Sequence, residues 1–449
     1  MTRAAVALVL ASALASARAA GAAPLTLDEA LALASKESPD LAIARADADG
    51  AAADPIASTG AVLPRLDLQA SFGHDFTGAT PGQSIVIGGA SLQLPGSRAS
   101  NQESDALSFR LSQTLFDWAA FRDIARARAS ARSAARQYDE SVLTLAFEVT
   151  RRFYEVVRAE RTLDVLERTA VRSDELVSRA DALYAAGRAP KADTLQARAN
   201  LANDRITAEA QRVRVAQARS ALGETLGRKD GAEVAVVPPA ALEAPIAVRA
   251  EPPPVEELLA AARSRRPALA AQAALVDAAD AAAGSARGGW LPTISAQGSY
   301  SRQGYAFGAP EAVYGDPSRA YAATAQLVLT WNLFEGRRTE ATVRRADAQA
   351  RRARASEDKT AALVAQELAS ARAALASLGR QVSLASDAVG VAQQGLALAR
   401  ERLEAGLANQ LEIRDASLKA TQAELSLVQA RIDEAIARAD LARAAGGPL

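Results

Sequence analysis

Acidic side chains just past two glycine turns are the residues of this chain best placed to do chemistry. Beyond Gly406 come Glu412 and Asp415, spaced to share one face of a helix, and beyond Gly187 comes Asp193. Carboxylates in the first turns of a helix stabilise its N-terminus through the dipole, whereas carboxylates gathered from several helix ends make a field that favours cations. Both readings need charge alone. The groups that other chemistries require are missing or scattered: His74 is the single histidine, there is no cysteine, Ser, Asp and His share no repeated spacing, and no phosphate-binding glycine motif occurs. The expectation is therefore of no catalytic residue, no metal site and no cofactor.

The acids are carried by helical hairpins. Leu375, Leu378, Val382, Ala385, Val389, Ala392, Leu396, Ala399 and Leu403 recur at steps of three and four, the period of a helix in a coiled coil. Glycine at 406 supplies the left-handed conformation that ends such a helix. Leu163, Leu166, Ala170, Ser173, Val177, Ala180 and Tyr184 repeat the pattern before Gly187. The spacing predicts long helices over 118–184 and 335–403, each roughly 100 Å long, with return helices over 191–227 and 409–445.

Between helices the period changes to two. Leu66, Leu68, Ala70 and Phe72 alternate with Asp67, Gln69 and Ser71, and Leu107, Phe109, Leu111 and Leu115 alternate with polar residues. Strands are expected at about 62–76 and 105–117, separated by a Gly/Ser/Pro-rich loop from Gly78 to Ser104, and again at about 291–305 and 321–334. Thr26 and Glu29 read as a capping box opening a short helix, and a second helix starts near Ser38 and fades around Pro55.

The order of elements occurs twice. Leu63-Pro64 and Leu291-Pro292 enter the odd strands, Leu115-Phe116-Asp117 and Leu333-Phe334-Glu335 leave the even ones, and Ala185-Ala186-Gly187 and Glu404-Ala405-Gly406 turn the hairpins. A duplicated half is expected at 24–227 and 255–449, joined by a proline-rich link at 228–254.

Among 449 residues the formal net charge is zero, which argues against a nucleic-acid partner. Residues 1–23 have the charged start and short apolar core of a signal peptide. No run of about eighteen apolar residues follows, so a span through a membrane must be made of strands. Export, strands of about ten residues, and a small-residue polar face opposite an apolar one favour a membrane sheet in contact with lipid over a half-buried soluble sheet. Trp118, Trp290, Tyr300, Tyr321 and Trp331 lie near strand ends, where aromatic girdles sit, but simple packing explains them almost as well. Four strands cannot close alone: two chains would give eight with a filled interior, and three would give twelve with room for water. Alanine seams permit either a hollow helical cylinder or a solid stalk.

These duplicated features together resemble the TolC family of outer-membrane channel-tunnels. The resemblance implies a mainly α fold with a membrane β-barrel: long coiled-coil helices plus two strands per duplicated half, and a homotrimer forming a barrel of about twelve strands on an α-helical periplasmic tunnel. It also implies a passive exit duct of a tripartite efflux pump or type I secretion system, gated at the hairpin tips. Its partners would be a periplasmic adaptor and an inner-membrane transporter. By the family pattern Asp193, Glu412 and Asp415 would line the closed entrance, three copies of each at one aperture. Gly187 and Gly406 would form the turns. Some members tie the hairpins shut with an arginine two residues past the second turn glycine; Ala408 stands there, so either Arg188, Lys191 or Arg414 replaces it or packing is the main hold on the closed state. The alternative is a periplasmic coiled-coil adaptor or structural protein of an envelope-spanning complex. That would call for a barrel-like module flanking one hairpin, where the sequence has two hairpins and two strand pairs.

Overall fold

The computed structural model describes residues 24–228, 233–242, 252–304, 321–405 and 407–447. The leader read over 1–23, parts of the proline-rich link, and Gly406 lie outside the described residues. Helix α1 (Leu27–Glu37) opens on the expected capping box: Thr26 Oγ1 accepts from the Glu29 N–H, and the Thr26 N–H donates to Glu29 Oε2 at 2.8 Å. That backbone bond, with a second from the Thr26 hydroxyl to the same oxygen, holds the Glu29 carboxyl below its usual range. Helix α2 (Pro39–Gly60) does not fade at Pro55 but continues to Gly60. A proline in a helix forfeits one N–H bond, and here the Thr59 hydroxyl donates to the Pro55 carbonyl at 2.7 Å.

Strands β1 (Arg65–Thr77), β2 (Gln83–Ile87), β3 (Ala90–Leu94) and β4 (Ser100–Phe116) follow, and later β5 (Thr293–Gly304) and β6 (Tyr321–Thr330). One antiparallel sheet has the order β1-β4-β5-β6, so β1 and β6 are its edges. The segment expected to be loop holds the separate β2-β3 hairpin. Gly88 and Gly89 turn it with φ of 64° and 86°, the left-handed pair whose twist matches a two-residue hairpin.

Register sorts the large sheet into two unlike faces. Leu66, Leu68, Phe72, Phe109, Leu111, Tyr300, Leu327 and Leu329 lie exposed on one. The other carries Arg65, Asp67, Gln69, Arg110, Ser112, Gln297, Ser299, Thr324 and Gln326, tied by Ser299–Thr324 hydroxyls at 2.7 Å and Arg65–Asp67 at 3.0 Å. A soluble sheet buries its apolar face against a core. This one leaves it bare, which suits lipid contact.

Helices α3 (Trp118–Ala185), α4 (Lys191–Thr225), α5 (Val255–Arg265), α6 (Pro267–Arg287), α7 (Arg338–Glu404) and α8 (Gln410–Ala445) complete the chain. The chain divides into two compact units: one takes 1–48, 134–271 and 357–449, the other 49–133 and 272–356, which holds the sheet. Each unit draws on both copies of the duplication.

In the first unit the copies build matching cores. Ala30 and Ala34 of α1 pack with Val149, Phe153, Val156 and Val157 of α3 and Leu222 of α4. Leu258 and Ala262 of α5 pack in the same way with Val364, Leu368 and Ala371 of α7 and Leu441 and Ala444 of α8. Buried Arg266 binds Glu140 at 2.8 Å and donates to the Arg443 and Ala444 carbonyls, satisfying the C-terminal end of α8.

Candidate functional site

The hairpins end in matched turns. In the first, Gly187 has φ of 70°, and the Arg188 N–H reaches back to the Leu183 carbonyl at 2.8 Å. In the second, the Leu407 N–H makes the corresponding bond to the Arg402 carbonyl at 2.8 Å. At Gly187 this i to i−5 closure satisfies the last helical carbonyls as the backbone turns left-handed. Asn409 then caps α8, its side chain accepting from the Glu412 N–H at 2.9 Å. The corresponding cap of α4 is Pro190, which has no side-chain acceptor.

The acids read from the sequence sit in these first turns in different settings. Asp193 is half-buried and its carboxylate makes no ion pair among the described residues. Glu412 pairs with Arg402 across its own turn at 2.6 Å. Asp415 pairs with Lys419 one turn on at 2.7 Å, with both groups exposed. Two of the three carboxylates thus have a cation beside them, which moderates the field they project.

Of the candidate ties, Arg188 and Lys191 are exposed and make no ion pair among the described residues. Arg414 does bridge the hairpins. Its guanidinium donates to both oxygens of Asp204 on α4, at 2.7 and 2.9 Å, and to Ser173 on α3 at 3.1 Å. Ser173 also donates to Asp204 at 2.6 Å. Arg414 and Asp204 are 15% and 12% exposed, so water screens the pair weakly.

Further polar links run along the same junction. Thr169 and Thr421 share a hydroxyl bond at 2.9 Å, Arg172 donates to both, and Arg172 also faces Glu424 at 3.4 Å. Arg158 pairs with Asp433. Nearer the turns, Arg179 meets Glu404 at 3.3 Å, and Leu396, Ile413 and Ala420 form a small core joined by Leu176 of the first hairpin. Sequence reasoning missed Asp204, Arg172, Thr169 and Thr421. The available signal was polar residues at seam spacing, with Thr169 four before Ser173 and Ser417 four before Thr421.

Among the described residues, no group of three or more His, Cys, Asp or Glu side chains is placed to hold a metal ion. Among the same residues, no helix is long and apolar enough to cross a membrane. The arrangement offers two charged helical tips, a part-buried polar junction between them, and a sheet with one lipid-like face.

Solved structures share the fold. A membrane protein from Pseudomonas aeruginosa is similar at 23% identity over 94% of this chain and 92% of its own, with a TM-score of 0.78. The Campylobacter jejuni CmeC outer membrane channel is similar at 17% identity over 94% and 85%, with a TM-score of 0.77. The outer membrane protein VceC from Vibrio cholerae is similar at 20% identity over 94% and 96%, with a TM-score of 0.74. These likenesses establish a channel-tunnel fold. No curated protein matches the chain in sequence. The family described as outer membrane efflux protein matches residues 30–228 and 258–447, nearly the whole described chain. The protein is therefore a member of the outer membrane efflux protein family, a family of efflux proteins rather than enzymes.

Proposed function

We propose that this chain is the outer-membrane exit duct of a tripartite pump, built from three copies and opened at the hairpin tips by a periplasmic adaptor and an inner-membrane transporter. The observation that carries the reading is the sheet. It has an exposed apolar face, a polar face and two unpaired edges, β1 and β6. The alternation of strand directions lets β6 of one copy pair antiparallel with β1 of the next. Closure removes both edges at once. Three copies give about twelve strands and a water-filled lumen lined by the polar face.

The tips then form the periplasmic entrance. Asp193, Glu412 and Asp415 line it, Gly187 and Gly406 form its rim, and Arg414 with Asp204 and Ser173 holds the two hairpins of each copy together. Arg188 and Lys191, unpaired beside the first turn, are available to neighbouring copies or to the adaptor. The duct is passive, so direction and energy come from the pump; an ATP-driven exporter of type I secretion would use the same duct.

Two measurements test this. A detergent extract should show an oligomer band that collapses to monomer on heating. The purified oligomer in planar bilayers should conduct ions. A chain that runs as monomer without heating, or an oligomer that never conducts, would overturn the reading.

A further inference from the structure

Two helices carry unpaired charges of opposite sign at the same spacing. Along α2, Asp40, Asp47 and Asp54 recur every seven residues, which keeps them on one side of the helix about 10.5 Å apart. Along α7, Arg338, Arg345 and Arg352 recur every seven residues in the same way. All six side chains are exposed, and none makes an ion pair or side-chain hydrogen bond among the described residues. Neighbouring arginines on α7 do: Arg344 pairs with Glu340 at 2.6 Å, and Arg354 with Asp280 of α6 at 2.7 Å. The unpaired stripe of α7 lies away from the side where Val343, Ala346 and Ala350 are buried.

Beside each stripe runs a seam able to pack. Next to its acids α2 exposes Ile43, Ala46, Gly50, Ala53 and Ala57, at alternating steps of three and four. Next to its arginines α7 exposes Ala341, Ala348 and Ala355, again at steps of seven. Small seam residues flanked by charges are the pattern of a close helix pair whose direction is set by the flanking charges.

Chain order says which helices meet. Helix α2 leads into β1 and helix α7 follows β6, and β1 and β6 are the two free edges of the sheet. When β6 of one copy pairs with β1 of the next, α7 of the first begins beside the end of α2 of the second. The two then run antiparallel. Asp54 falls opposite Arg338, Asp47 opposite Arg345, and Asp40 opposite Arg352.

We propose that these faces form a charge-matched seam between neighbouring copies of this chain, α2 of one against α7 of the next. The inference rests on the self-assembly proposed above and adds to it a helix pair, a direction and a register. Each exposed ion pair contributes little alone. A ladder of them is fully paired in one register only: a shift of one repeat loses a pair, and smaller shifts along the same face set the charges against neutral residues.

The absence of cysteine makes a direct test available. The full chain carrying both Asp47→Cys and Arg345→Cys is treated in outer-membrane preparations with a short bismaleimide, then boiled in detergent. Covalent dimers and trimers are expected. Ala52→Cys with Arg345→Cys, whose first position lies on another side of α2, should stay monomeric. Charge reversal gives a second readout: Arg345→Asp with Arg352→Asp should at least halve the oligomer surviving a fixed heating step. Adding Asp47→Arg and Asp40→Arg to the same chain should restore it. A wild-type oligomer that forms normally but yields no cross-link, or a reversal that the swap does not rescue, overturns the seam and leaves assembly standing. A wild-type chain with no oligomer overturns assembly and the seam with it.

Discussion

The Arg414 guanidinium gives two near-parallel bonds to Asp204 and a third to Ser173, joining α8 to both helices of the other hairpin. Bidentate pairing fixes orientation as well as distance, so this contact discriminates against any sliding of one hairpin past the other. Removing one partner strands the other charge at a site only 12 to 15% exposed. Asp204→Ala should therefore destabilise the helical unit by about 3 kcal/mol, seen as a lower thermal midpoint by circular dichroism. It should also raise the open fraction in single-channel recordings. Asp204→Leu with Arg414→Leu should cost less than the single change, because no buried charge is left unpaired. If Asp204→Ala changes neither midpoint nor conductance, the pair is not a latch. Arg414 was legible in the sequence, as one of three basic residues close to the position held by Ala408. Asp204 was not, because it lies inside α4 among many exposed helix acids, and what distinguishes it is a partner 210 positions away.

At the scale of the element, glycine separates turns that are open from turns that are packed. Gly187 has φ of 70° and nothing within 4 Å of an added Cβ. Gly187→Ala should cost only the backbone strain, about 1 kcal/mol. Gly227, at the end of α4, has φ of 84°, and a Cβ there would stand 2.3 Å from the Glu37 carbonyl oxygen. Gly446, at the end of α8, has φ of 91° with Arg265 carbonyl carbon 2.8 Å away. Gly227→Ala and Gly446→Ala should each cost about 3 kcal/mol, strain and overpacking together. Thermal melts of the three variants check the order, and equal losses would mean that the ends of the return helices are not packed against Glu37 and Arg265. The long helices and the sheet strands were readable because one period holds over many residues. The β2-β3 hairpin was not, although Gly88-Gly89 between two short β-favouring runs is a known hairpin signal; the surrounding Gly, Ser and Pro read as loop. Pro55 misled in the other direction, since its cost was small enough for α2 to absorb.

For the whole molecule, the duplication is a fact of the chain and the compact units are facts of packing, and the two do not coincide. Each copy leaves the helical unit, makes two strands and returns, so the sheet and the hairpin tips are both assembled from both copies. Equivalent tips would carry equivalent charge, but the two tips differ. The first exposes Arg188 and Lys191 beside Asp193, and the second holds Glu412 against Arg402 and Asp415 against Lys419. If these acids line the entrance, its selectivity is a balance between each carboxylate and its neighbour rather than a sum of carboxylates. Replacing Glu412 and Asp415 together with alanine leaves two cations unopposed and should lower cation preference by a factor on the order of two or more. Replacing Arg402 and Lys419 with glutamine frees the same acids and should raise the preference. Reversal potentials across planar bilayers in a salt gradient measure both. Opposite shifts would place the two pairs at the narrowest point of the conducting path. Reversal potentials that stay at the wild-type value in both variants would put the constriction elsewhere, with these acids serving only the helix N-terminus.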